Sequence, residues 1–140
     1  STADYVVNSM PGENLTSHEL AFAVENQYPG RWSDGVLART GRNLASSWQQ
    51  SGHLTSDSPK KRQRVTARPV SVAFAITLGW WCELRGAALL DSTWMRILDL
   101  EPSAADPLLT AASRQGLVEY RKIGDVIDLR PAPQLAGYVR

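Results

Sequence analysis

The sequence predicts a mainly α fold with small β-hairpins (α+β), and three observations carry the prediction. Apolar residues recur at helical spacing along much of the 140-residue chain. Gly52 and Gly116 each stand where a helix would end, and each is followed by a short apolar run, turn residues and a second run. An apolar share of 43% is ordinary for a globular protein and leaves no segment disordered by composition. The length suits one domain, or two small ones sharing a core.

Residues 1–15 contain Pro11-Gly12 and scattered polar groups, and read as an extended N-terminal arm. Thr16 and Glu19 stand at capping-box spacing and open a helix through about Gln27, with Leu20, Val24 and Phe22 inward. Tyr28-Pro29-Gly30 ends it. From Ser33 a second helical region carries Leu37, Leu44 and Trp48 as one narrow apolar stripe, with Arg39, Arg42, Asn43, Ser46 and Gln50 on the opposite side. Thr40-Gly41 is either a tight turn between two helices or a weak point in one long helix. His53-Leu54-Thr55 reads as a strand, Ser56 to Pro59 as a turn, and Lys60 to Ala67 as a basic return strand.

Pro69 starts the most apolar helix, which runs past Trp80 and Trp81 to Leu84 and belongs at the centre of a core. Asp91 or Ser92 caps a short helix with Trp94, Ile97 and Leu98 inward. Ser103 caps another, containing Leu108, Leu109 and Ala112. Strands follow at Leu117–Arg121 and Val126–Arg130. Residues 47–54 and 111–118 form a faint internal repeat, each running from helix through Gly into strand. The expected organisation is an arm over 1–15, a first unit over 16–68, and a second over 69–140 with the central apolar helix.

The formal net charge of +1 conceals segregation. Residues 1–29 hold four acidic side chains and no Lys or Arg, residues 30–68 eight basic against two acidic, and residues 69–140 seven basic against eight acidic. An anion would therefore dock on the middle third. His18 and His53 have no metal-type spacing, Cys82 is the only cysteine, and no phosphate-loop, dinucleotide or nucleophile-elbow motif occurs. Neither catalysis nor a metal or cofactor is expected. The apolar stretch from Pro69 to Leu84 is too short for a bilayer, and the N-terminus lacks the basic and apolar regions of a signal peptide; a cytoplasmic protein is expected, without a membrane partner.

Arg, Asn and Gln are the side chains able to make paired hydrogen bonds to base edges, and no Glu or Asp interrupts the run from Gly35 to Gln50. Lys60, Lys61, Arg62 and Arg64 supply clustered cations suited to phosphate. Trp32, Trp48, Trp80, Trp81 and Trp94 are read mainly as core, with Trp32 the one placed to act outside it. Cys82 is expected buried. The run from Leu37 to Leu54 with the arm Lys60–Val65 resembles the winged helix-turn-helix superfamily, and Leu108 to Leu129 resembles a second, less basic copy. That resemblance implies two tandem winged-helix units. It also implies a transcription-regulator-like DNA-binding role, with Arg39, Arg42, Asn43, Ser46 and Gln50 in the major groove of double-stranded DNA and Lys60, Lys61, Arg62 and Arg64 on phosphates. A fainter resemblance to small helical accessory proteins of BREX-type phage-exclusion loci implies antiviral defence. The rival expectation is a protein–protein adaptor, and a homodimer or larger complex is open under either.

Overall fold

The computed structural model describes residues 1–137, and the chain divides into two compact units, Ser1–Val65 and Thr66–Arg140. The fold is mixed α+β, with helices in both units and, among the described residues, one regular antiparallel hairpin.

The first unit contains α1 (Thr2–Asn8), α2 (Ser17–Gln27) and α3 (Asp34–Gln50). α1 replaces the expected extended arm. Its Val6 is fully buried and joins Leu15, Leu20, Ala45 and Leu54 in the core, so the arm belongs to the unit. Seven residues are too few for helical periodicity to register in a sequence. α2 opens as expected: Thr16 N–H donates to Glu19 Oε2 at 2.7 Å and Glu19 N–H to Thr16 Oγ1 at 3.2 Å. Phe22, expected inward, is 61% exposed, because α2 turns Leu20 and Ala21 to the interior instead.

α3 is continuous through Thr40-Gly41. A Cβ at Gly41 would overlap the Ser17 carbonyl oxygen and lie 2.9 Å from Ala21 Cβ, so α2 and α3 pack here at glycine distance. Gly41 serves that close approach. The interhelical turn lies earlier, over residues 28–33, where Gly30 has φ +68° and Ser33 caps α3.

The basic segment differs from a two-stranded arm. Residues 60–63 are hydrogen bonded on both sides. Arg62 N–H donates to the Glu13 carbonyl and Gly12 N–H to that of Arg62, both at 2.8 Å, while Leu15 N–H reaches the Lys60 carbonyl at 2.9 Å. On the other edge Thr55 N–H donates to the Lys61 carbonyl at 2.8 Å and Gln63 N–H to that of His53 at 2.9 Å. The supposed arm thus supplies a third short strand-like segment. Among the described residues, the pairing shown involves residues 60–63.

The second unit contains α4 (Pro69–Trp81), α5 (Ala87–Leu90), α6 (Thr93–Arg96), a 3-10 turn (Pro102–Ala104), α7 (Ala105–Arg114), β1 (Val118–Ile123), β2 (Val126–Pro131) and α8 (Pro133–Ala136). Val72, Ala73, Ala75 and Ile76 of α4 pack with Leu89, Met95, Leu109, Ala112, Val118 and Leu129, which makes α4 the centre of this core. Ser92 caps α6 as expected, but Met95 rather than Trp94 turns inward; Trp94 is 38% exposed. Ser103 lies in the 3-10 turn, and α7 begins without a side-chain cap. Cys82, expected buried, is exposed where α4 ends. β1 runs two residues further toward the turn than expected, and the Ile123↔Val126 pair closes a two-residue turn with Gly124 at φ +59°. Among the described residues, no helix is long and apolar enough to cross a membrane.

α3 and α7 end in the same way. In α3, Gly52 N–H donates to the Gln49 carbonyl and His53 N–H to that of Trp48, each at 3.0 Å; in α7, Gly116 donates to Ser113 and Leu117 to Ala112, each also at 3.0 Å. This is the Schellman arrangement with a left-handed glycine, at φ +87° and +73° respectively.

Candidate nucleic-acid interface

Arg39, Arg42, Asn43, Ser46 and Gln50 are all exposed. On a regular helix they span an arc of about 100°, so α3 presents them as one polar face. The opposite flank is held by burial of Gly41 and Ala45 and by the partly buried Leu37, Leu44 and Trp48.

An open groove of about 630 Å³ runs beside this face. Arg42, Ala45 and Ser46 of α3 form one wall; Leu15, Thr16, Ser17 and residues 56–60 form the others. Lys60 Nζ donates to Gln49 Oε1 of α3, which holds the ammonium against the helix. Arg42 and Lys60 bring positive charge to the groove and Asp57 brings one negative charge.

The remaining basic residues are distributed by strand alternation, which sends successive side chains to opposite faces. Lys61 is exposed on the face away from Lys60, and Arg64 is exposed beyond the paired segment. Arg62 is the correction. The sequence put it with the exposed phosphate contacts, yet it is 3% exposed. Its Nε donates to the Val6 carbonyl at 2.8 Å and its Nη1 to the Gln63 carbonyl. It ties the basic segment to α1, 56 positions away in sequence.

Trp32 stands at the α2–α3 turn, 36% exposed, edge-on to Tyr28 at 5.6 Å between ring centroids. The Arg31 guanidinium lies 5.2 Å from the Trp32 ring and 5.7 Å from that of Tyr28. Glu25 Oε1 fixes this corner by accepting the Gly30 N–H at 2.8 Å. His53, read from sequence as the start of a strand, is buried: Ser51 Oγ lies 2.7 Å from its Nδ1, and Trp48 meets it edge-on at 5.0 Å. The sequence carries no signal for Thr16, Ser17 and the loop over 56–59 as groove walls beyond their capping and turn chemistry.

The second unit offers different chemistry. Asp106 opens α7 and accepts the Tyr120 hydroxyl at 2.6 Å, and burial together with that bond and the Asp106 charge pushes the phenol up to about 12. On the outer face of the hairpin, Arg130 pairs with Glu119 at 2.7 Å and lies 3.7 Å from Asp128. Comparison with protein-family models, curated proteins and solved structures found no match to this chain.

Proposed function

We propose that the chain is a non-catalytic DNA-binding protein, or the DNA-binding subunit of a larger complex, of winged helix-turn-helix type. In this reading α3 enters the major groove of double-stranded DNA with Arg39, Arg42, Asn43, Ser46 and Gln50 facing base edges. Lys60, Lys61 and Arg64 meet phosphates, and Arg62 holds their strand in place. The observation that carries it is the shared groove, in which Arg42 and Ser46 of α3 and Lys60 from the distant basic segment line one concave surface. The α2–turn–α3 order, followed by the paired segments at 53–55 and 60–63, supports the superfamily resemblance. A role in phage defence rests on the fainter resemblance alone.

A mobility-shift titration on duplex DNA at two salt concentrations tests the reading. Affinity should fall steeply with salt, and Lys60→Ala with Lys61→Ala should lower the log–log slope by about one for each phosphate no longer neutralised. Arg42→Ala or Asn43→Ala should instead relax preference at one base position, by about 1–3 kcal/mol. Binding that ignores salt would end the proposal.

A second reading, an adaptor that assembles through the second unit, is favoured by its exposed apolar side chains. Val70 and Phe74, four apart on α4, are 58% and 63% exposed, and Ile123 and Val126 at the hairpin tip are 78% and 71% exposed. Sedimentation over a range of concentrations, with Phe74→Glu as control, distinguishes self-association through this face from a monomer.

A further inference from the structure

The groove beside Lys60 holds one charge that the DNA reading leaves unused. Its charged lining groups are Arg42, Lys60 and Asp57, which leave a formal charge of +1. Asp57 is exposed, in the loop over 56–59 that walls the groove. Among the described residues its carboxylate makes no hydrogen bond or ion pair, and neither does the Arg42 guanidinium. Lys60 Nζ is engaged by the neutral Gln49 Oε1. Opposite charges thus line one concave surface without pairing, and the space between them stays open.

That balance selects among anions. Attraction to a site grows in proportion to the anion's charge, whereas the cost of stripping its water grows as the square. A strongly positive groove therefore favours a dianion, and one near +1 a monoanion. Ser17, Ser46, Ser56 and Ser58 line the same space and offer hydroxyl donors to phosphate oxygens without adding charge.

We propose that Asp57 sets the groove's charge so that it takes an internal phosphodiester of a nucleic-acid strand, which is a monoanion, in preference to a terminal phosphate or another dianion. Arg42 and Lys60 hold the phosphate, and Asp57 acts on it through its field. The inference rests on the reading of this groove as a phosphate site and adds the charge class that the site accepts.

NMR shift titrations of the whole chain at constant ionic strength, read at Ser46 and Lys60, test it with dimethyl phosphate as the monoanion and sulfate as the dianion. Dimethyl phosphate should bind at least as tightly as sulfate. Asp57→Asn, in an exposed loop, should leave the thermal melt unchanged. It should raise the affinity for dimethyl phosphate about threefold and that for sulfate by about the square of that factor, because the lost repulsion doubles with the charge. Asp125→Asn, the same change of charge on the hairpin of the second unit, should alter neither. A duplex stripped of terminal phosphates should bind as tightly as one that carries them, and vesicles of phosphatidylglycerol, the other source of a phosphodiester, should not bind. Tighter binding of sulfate to the unaltered chain, an equal gain or no gain for the two anions in Asp57→Asn, a need for terminal phosphates, or capture by the vesicles would each overturn the inference. A chain that shifts duplex DNA but prefers sulfate loses this inference alone. One that shows the expected anion preference without duplex affinity loses the DNA reading alone.

Discussion

From Gly52 to Gly116 is 64 positions, and at both glycines an amphipathic helix hands over to a strand through the same pair of hydrogen bonds. What the two units hang on that backbone differs. α3 exposes Arg39, Arg42, Asn43, Ser46 and Gln50, whereas α7 opens on Asp106, which is engaged by Tyr120. The cations on the strands are also held differently. Arg130 is oriented by two carboxylates, Glu119 and Asp128, which cancel its charge locally. Lys60 is oriented by the neutral amide of Gln49, which fixes the ammonium and leaves its field intact. One backbone device thus serves two electrostatic designs, and only the first is suited to attract an anion.

The comparison breaks most severely at Gly41, because the first unit depends on a helix contact that admits no Cβ. Gly41→Val should destabilise that unit by about 3 kcal/mol or more, since the clash is with the Ser17 backbone and cannot be relieved by a rotamer change. Gly35, in the same helix, has nothing within 4 Å of a built Cβ, and Gly35→Ala should stabilise by about 0.5–1 kcal/mol. Denaturant melts followed by residue-resolved NMR read both, with the hairpin resonances of the second unit unaffected.

Arg62 and Lys61 are adjacent and chemically alike, and should behave oppositely. Arg62→Met removes the buried guanidinium bonds that tie the basic segment to the Val6 and Gln63 carbonyls and should cost about 1–3 kcal/mol of stability. Lys61→Met should stay within about 0.5 kcal/mol and, under the proposed DNA contact, lower only the salt-dependent part of the affinity. Equal stability losses would mean that the alternation assigned to this segment is wrong.

These adjacent residues also mark what the sequence made legible. α2, α3, α4, the Thr16 and Ser92 caps, both left-handed glycines and the hairpin turn near Gly124 were readable, because periodicity, capping and turn chemistry are local. The polar face of α3 was readable for the same reason: an exposed arc follows from spacing alone. The burial of Arg62 was not, because it depends on Val6 arriving from far away in the chain, and a basic run looks alike whether or not one member points inward. Gly41 was ambiguous for a related reason. A glycine inside a helix signals a turn or a close neighbour equally, and the neighbour, Ala21, lies on another helix. The groove that brings Arg42 to Lys60 is likewise a tertiary fact.

A pH titration sharpens the contrast on the side of the second unit. Tyr120 is raised to about 12, first by burial and then by its hydrogen bond to Asp106 and the Asp106 charge. A raised phenol is favoured in its protonated form in the folded state. Its contribution is fully present below the ordinary tyrosine value of about 10 and is lost as pH rises toward about 12. Tyrosinate absorbance should therefore show a late-titrating residue that disappears in Tyr120→Phe, while Tyr5, also raised by burial and by Glu19 and Glu13, stays late in both proteins, and the substitution should cost about 1 kcal/mol at neutral pH. An early, ordinary titration of all tyrosines would remove this distinction.

Gln49→Glu carries a small change in stability and addresses the comparison most directly, because it imports into the first unit the arrangement that surrounds Arg130 in the second. The new carboxylate would still hold Lys60 Nζ, so the groove should keep its shape and the fold should change by no more than about 1 kcal/mol. What changes is the charge beside Arg42, Ser46 and Lys60. If the uncompensated field of Lys60 is what a phosphate meets, DNA affinity should fall and the salt slope should drop by about one, matching Lys60→Ala although the lysine is still present. If affinity is unchanged, the neutral amide at Gln49 has no electrostatic purpose, and the difference between the two units reduces to the side chains on their helix faces.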